Sequence, residues 1–362
     1  MRSFSISLFN TVPFVCLLLS VLVSPCTGLF HSNQETQHDV NGNLMDQHDG
    51  NLLEVGGVWY WFGMGYTDCK LEKGWIPPLD CPGIYRKFGT GCGFRTDHLL
   101  NLYTSTDLEN WEPAGDAFPI DGRPEGIYFR PKVVFNEMTS KFVLWINYLP
   151  PARTPLAAYP NATYLVAQSD TAEGPFEVVN DQPGLMYEGA GDATLAVDKD
   201  TGEAFIAYDA WSNGHRISVE RLTPDYLKST GEETNSGFLS EKKHEAPLLF
   251  QRDDTWYLMY GHTCCFCRFG SGLQVYTAKS PLGPWTDEKT DVNQRVKLSG
   301  KHVIPAQANY VFEVDGKFIY TGDLWTSAPD GLKSHDVQYW GELKFNDEGK
   351  VQVMEFVDEL RL

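Results

Sequence analysis

Three carboxylic acids, an arginine and a glutamine stand in one register along this chain. Five short segments rich in aromatic and β-branched residues, Gly57–Trp61, Lys141–Trp145, Glu203–Tyr208, Thr255–Tyr260 and Gly316–Tyr320, each follow a turn and read as strands. Ahead of their central residues Tyr60, Val143, Phe205, Tyr257 and Phe318, always by 11 to 13 positions, come Asp49, Arg130, Asp192, Glu245 and Gln307. Carboxyls that share a partly dry site cannot all ionise cheaply, so one holds its proton near neutral pH while another stays charged. Glycosidic bond cleavage uses such a pair: one carboxyl protonates the leaving oxygen while another, across the sugar, activates water or attacks. Taken singly, each carboxylate is an ordinary turn or surface residue, and only the common register argues otherwise.

For that register to matter, the five segments must be equivalent parts of a closed ring. Their central residues lie 52 to 83 positions apart, the period of a repeated supersecondary unit. A second pattern, a strand with a tight turn and an aromatic lock, recurs at Tyr103–Trp111, Ala167–Phe176 and Tyr276–Trp285. Together they predict an all-β fold, a five-bladed β-propeller, in which equivalent positions of successive blades converge on the axis. A two-sheet sandwich would also supply short strands, but not the repeated hairpins. The longest interval holds an insertion, Asp68–Asp97, and the next holds Leu149–Pro155; loops of that length often shape the rim of a pocket.

With 42% hydrophobic and 13% aromatic residues among 362, the chain can bury a large core, and its 33 glycines and 21 prolines suit many turns. The net charge of −19, from 29 Lys+Arg against 48 Asp+Glu, repels phosphate backbones and anionic headgroups and argues against nucleic acid as a partner. Residues 1–28 carry a single charge, Arg2, then an apolar run from Phe14 to Val23 and small residues at Cys26 and Gly28. This predicts a signal peptide, a secreted chain with no membrane contact after cleavage, and one catalytic domain over 29–362. Cys69, Cys81, Cys92, Cys264, Cys265 and Cys267 then remain, an even set expected to pair mostly as disulfides. The sequon at Asn161 is a candidate glycosylation site. His244-Glu245 is not a zinc-protease start, since position 248 is Leu, and Asp198–Gly202 reads as a β-turn rather than a calcium loop.

These residues resemble glycoside hydrolase family 43, whose members are five-bladed propellers that cleave arabinose, xylose or galactose linkages with inversion. Asp49–Tyr60 looks like the family's first-blade segment with its general base, Gly191–Leu195 like the segment whose Asp tunes the acid, and Glu245–Phe250 like the general-acid segment. Within the family, Gln47-His48, Arg130–Asn136, Gln307 and Tyr320–Trp325 are most similar to the exo-β-1,3-galactanases. That branch has Gly in place of Asp49 and relies on a Gln, whereas this chain carries both Asp49 and Gln307; the branch's substrate-binding Glu is here Phe129. The resemblance implies that Asp49, Glu245 and Asp192 are catalytic and that Gln307, Arg130, Phe129, His48, Asp323 and Trp325 bind substrate. It implies no metal and no cofactor, a monomer, and a poly- or oligosaccharide substrate with β-1,3-galactan, arabinan or xylan-type linkages. Inversion further requires about 6.5 to 9.5 Å between the Asp49 and Glu245 carboxyls, with Asp192 nearer to Glu245 and Gln307 beside Asp49. The competing readings are a propeller that binds carbohydrate without cleaving it and one that binds protein partners.

Overall fold

The computed structural model describes residues 30–69, 94–152, 159–231, 235–264, 266 and 268–362. The expected signal peptide, most of the Asp68–Asp97 insertion, and Cys81, Cys92, Cys265 and Cys267 lie outside the described residues. A short strand β1 (Phe30–Ser32) precedes five antiparallel sheets. Blade I is β2 (His48–Val55), β3 (Val58–Gly65), β4 (Leu99–Ser105) and β5 (Glu112–Asp116). Blade II is β6 (Ile127–Asn136), β7 (Lys141–Leu149), β8 (Thr163–Ser169) and β9 (Glu177–Asn180), and blade III is β10 (Ala190–Val197), β11 (Ala204–Ala210) and β12 (Arg216–Arg221). Blade IV is β13 (His244–Arg252), β14 (Thr255–His262), β15 (Gln274–Ala278) and β16 (Thr286–Asp291), and blade V is β17 (Gln307–Val314), β18 (Lys317–Leu324) and β19 (Val337–Leu343). The fold is a five-bladed β-propeller, as the repeat predicts.

Each aromatic segment is the second strand of a blade, and the polar register falls on the first. Those first strands touch in the order β2, β6, β10, β13, β17 and back to β2, which closes the inner ring. The three repeated hairpins join the third and fourth strands of blades I, II and IV; blades III and V show three strands among the described residues.

The core divides into five apolar clusters, each filling the gap between two successive blades rather than a common centre. Phe62, Leu102, Val133 and Leu144 pack blade I on blade II, and Trp145, Tyr164, Leu195 and Tyr208 pack II on III. Phe205, Val219, Trp256 and Leu258 join III to IV, and Met259, Val275, Val311 and Tyr339 join IV to V. The last gap, between V and I, is closed by indoles: Trp61, Trp111 and Trp340, whose ring centroids lie 5.1 to 6.4 Å apart. The chain ends seal this gap. Strand β1 pairs antiparallel with β20 (Glu359–Arg361), and the Asn33 side chain bonds both the N–H and the carbonyl of Trp340.

Candidate active site

The inner strands deliver their side chains to the axis by a shared irregularity. All five carry a shift in pairing register: between His48 and Asn51, Phe129 and Lys132, Ala190 and Ala193, Glu245 and Leu248, and Ala308 and Tyr310. A bulge adds a residue to one strand, breaks the ladder and re-aims the side chain there. Asp49, Arg130 and Asp192 sit inside these shifts, Glu245 borders one, and Gln307 is one residue ahead of its own. The backbone shows the cost: Asp49, Arg130 and Ala246 have φ of 64°, 53° and 53°, a region unfavourable for a residue with a Cβ. Pro131 and Pro247 occupy two of the bulges, where a ladder N–H is dispensable. Beside Asp49 only glycine fits, because a Cβ at Gly50 would lie 1.7 Å from the Phe62 carbonyl oxygen.

Asp49 is 3% exposed and held from every side. The Tyr66 hydroxyl donates to its Oδ2 at 2.7 Å, Arg130 Nε lies 3.6 Å from its Oδ1, and its backbone N–H donates to Asp323 Oδ2 at 3.0 Å. Beneath it the Lys132 ammonium donates to the Asp49 carbonyl at 2.6 Å. Burial opposes ionisation of Asp49, but Arg130, Lys333, the Tyr66 hydroxyl and His48 outweigh it and hold the carboxyl below its usual range.

Glu245 lies on blade IV, with blade V between it and Asp49 on that side of the ring. Its Oε1 accepts from the Cys264 N–H at 2.8 Å and from Gln307 Nε2 at 2.7 Å. Burial, followed by the charges of Asp192 and Asp209, raises it well above the ordinary glutamate range, against the Cys264 N–H and Arg130. Asp192 faces Arg130, whose Nε is 3.2 Å from its Oδ1, so one guanidinium reaches the carboxylates of blades I and III. Two buried carboxyls of one funnel are thus driven in opposite directions, Asp49 toward the charged form and Glu245 toward the protonated one.

The remaining candidates take other places than the sequence suggests. Gln307 turns to Glu245: it donates to that carboxyl, accepts from Trp325 Nε1 at 2.8 Å, and makes no hydrogen bond to Asp49 among the described residues. His48 and Asp323, at 1% and 0% exposure, stand behind Asp49, with His48 Nδ1 3.1 Å from Asp323 Oδ1. They position the Asp49 backbone and have no surface for a sugar. Trp325 is buried as well, while half-buried Phe129 packs edge-on to Phe94, an apolar contact in place of a polar one. Of the six cysteines expected to pair, Cys69 and Cys264 lie within the described residues.

Several participants escape sequence reasoning. Tyr66 lies outside the register, at the end of β3. Asp209, at the end of β11, is 1% exposed, and its Oδ2 is 2.6 Å from His215 Nδ1; burial lifts it to about 7 against the His215 bond. A Cβ at Gly191 would lie 2.4 Å from this carboxylate, so a side chain ahead of Asp192 would displace it. Lys333 is wholly buried against the faces of Tyr66, Phe266 and Trp325, its ammonium 2.8, 3.9 and 3.9 Å from their centroids. The one signal for Asp209 is its offset: it follows Phe205 by the same four residues that separate Asn147 from Val143.

Two buried carboxyls with opposed ionisation, brought together from different blades of a five-bladed propeller, suit the cleavage of glycosidic bonds. The family model described as glycosyl hydrolases family 43 matches residues 93–322, and the chain belongs to that family, whose members hydrolyse glycosidic bonds. No curated protein matches it. Among solved structures it is similar to the exo-β-1,3-galactanase of Phanerochaete chrysosporium in complex with galactose, at TM-score 0.70 and 22% identity over 92% of this chain and 68% of that one. The exo-β-1,3-galactanase of Clostridium thermocellum gives TM-score 0.67 and 21% identity over 91% and 66%. An endo-1,4-β-xylanase of Bacteroides thetaiotaomicron gives 0.60 and 21% over 88% and 97%. The chain spans about two thirds of the length of both galactanases.

Proposed function

We propose that this glycosidase is secreted and cleaves polysaccharides or glycan side chains with β-1,3-galactan, arabinan or xylan-type linkages, with inversion at the anomeric carbon. Glu245 is the general acid. Its Oε1 is occupied by two donors, which leaves Oε2 to carry the proton passed to the departing glycosidic oxygen. Asp49, kept ionised by Arg130 and the Tyr66 hydroxyl, takes a proton from the water that attacks from the other face of the sugar. Product forms in one displacement, without a covalent sugar intermediate. Asp192 holds Glu245 protonated through its charge, and Arg130 pairs with Asp192 beside it.

The observation that carries this reading is the opposed environment of Asp49 and Glu245. Two of the solved relatives are named as exo-β-1,3-galactanases, and β-1,3-galactan is therefore the first substrate to try. The test incubates the protein with β-1,3-galactan, arabinan, xylan and nitrophenyl galactosides, xylosides and arabinofuranosides, and follows the first-formed anomer by proton NMR. Inverted product supports the mechanism and retained product overturns it. Binding of a sugar without hydrolysis of any of them would make the chain a carbohydrate-binding propeller.

A further inference from the structure

Asp209, His215 and Glu245 each bring a metal-ligating atom to one point, the three atoms lying within 4.8 Å of one another. Asp209 Oδ2 is taken by His215, but Asp209 Oδ1 is buried and has no hydrogen-bond partner among the described residues. Such an acceptor costs stability unless something fills it. Glu245 likewise keeps Oε2 free of the two donors that hold Oε1. Arg130 is engaged by Asp192 and Asp49, and among the described residues His215 is the basic side chain paired with Asp209, with none paired with Glu245.

We propose that Asp209, His215 and Glu245 form a binding site for a first-row divalent transition metal that takes the place of the proton on Glu245 and so switches the enzyme off. An imidazole with two carboxylates suits zinc, nickel or copper, whereas calcium and magnesium prefer more oxygen donors than these residues supply. Ligand atoms around zinc sit roughly 3.4 Å apart, so the three side chains close in by about an ångström. On binding, the Glu245 proton leaves to water and His215 coordinates as the neutral imidazole. Glu245 cannot then serve as acid. The inhibitory half of this proposal rests on the acid role assigned to Glu245, while the site itself does not.

Zn2+ is the probe. Calorimetric titration of the full protein is expected to show one Zn2+ per chain, with that binding lost in both His215→Gln and Asp209→Asn, each of which removes one of the three ligands. His244 and His262, whose ring centroids are 4.9 Å apart, are the rival imidazoles, and His262→Gln is expected to bind Zn2+ as the parent does. An anomalous difference map of the unaltered protein soaked in Zn2+ locates the ion without any substitution. Absence of binding, undiminished binding in both variants, or an ion at His244 and His262 would overturn the site. Hydrolysis is expected to fall with occupancy and return on chelation; full activity with the ion in place would overturn the acid role of Glu245 and leave the site standing.

Discussion

The two sides of the funnel are built from opposite materials. Around Asp49 the neighbours are donors and cations: the Tyr66 hydroxyl, Arg130, and Lys132 and Lys333 below and behind it. Around Glu245 the acids Asp192 and Asp209 prevail over Arg130, and the donors bonded to it are the neutral Cys264 N–H and Gln307 amide. Both carboxyls are more than nine-tenths buried, so desolvation alone would protonate both. What distinguishes them is the sign of the charges around them. A carboxyl's task in this fold is therefore written in its neighbours rather than in the carboxyl, and changes to either set can be used to break the asymmetry.

The largest effect is expected from Glu245→Gln, which removes the acid outright: turnover of a polysaccharide falls by roughly 10³-fold or more. A nitrophenyl substrate, whose leaving group needs little protonation, should recover much of that loss. Asp49→Asn is expected to cost a comparable roughly 10²- to 10⁴-fold, with no such recovery, because its partner is the water. Equal recovery in both variants would erase the distinction between the two sides. Asp192→Asn takes away a negative charge that raises Glu245, so Glu245 loses its proton more readily and the alkaline limb of the pH–rate profile moves to lower pH; rate profiles with a polysaccharide substrate, whose leaving group needs the acid, measure this, and an unmoved limb would count against the role. Freed Arg130 acts in the same direction. The smallest effect is expected from Tyr66→Phe. Losing a hydrogen bond to a charged group costs about 1.5 to 3 kcal/mol, and because Asp49 then protonates more easily, the acidic limb moves to higher pH while the alkaline limb stays. A shift of the alkaline limb instead would place Tyr66 with the acid.

The ring of blades was legible because one register repeats. Tyr60, Val143, Phe205, Tyr257 and Phe318 mark second strands, and the residues 11 to 13 positions before them do line the axis. The catalytic roles proposed for Asp49, Asp192 and Glu245 rest on the same count. The contacts among these residues were not legible, since they depend on which blades neighbour each other and on how far each bulge turns a side chain. Gln307 shows the point: its register position places it in the funnel, but blade V lies between blades IV and I, and its amide turns to Glu245 and not to Asp49. His48 and Asp323 carry the polarity of ligand-binding residues, yet that polarity is spent inward on the backbone of Asp49. Tyr66 and Asp209 lie at the ends of second strands, where sequence spacing alone does not show which side chains reach the axis.

The seal between blades V and I has a consequence for how the chain acquires its shape. Each of the other gaps can close once two consecutive blades have been synthesised, and each second strand finds its partner within a few residues. Strand β1 cannot: its partner β20 and the backbone of Trp340 that Asn33 grips lie more than 300 residues away. Contacts of such long range are the slowest to form, because the ends of a long loop must be brought together before any contact rewards them. A strand made before every blade is therefore paired after them. Until it is, the aromatic faces of Trp61, Trp111 and Trp340 remain open to water, and the ring that brings Asp49 within reach of Glu245's neighbours is not yet a ring.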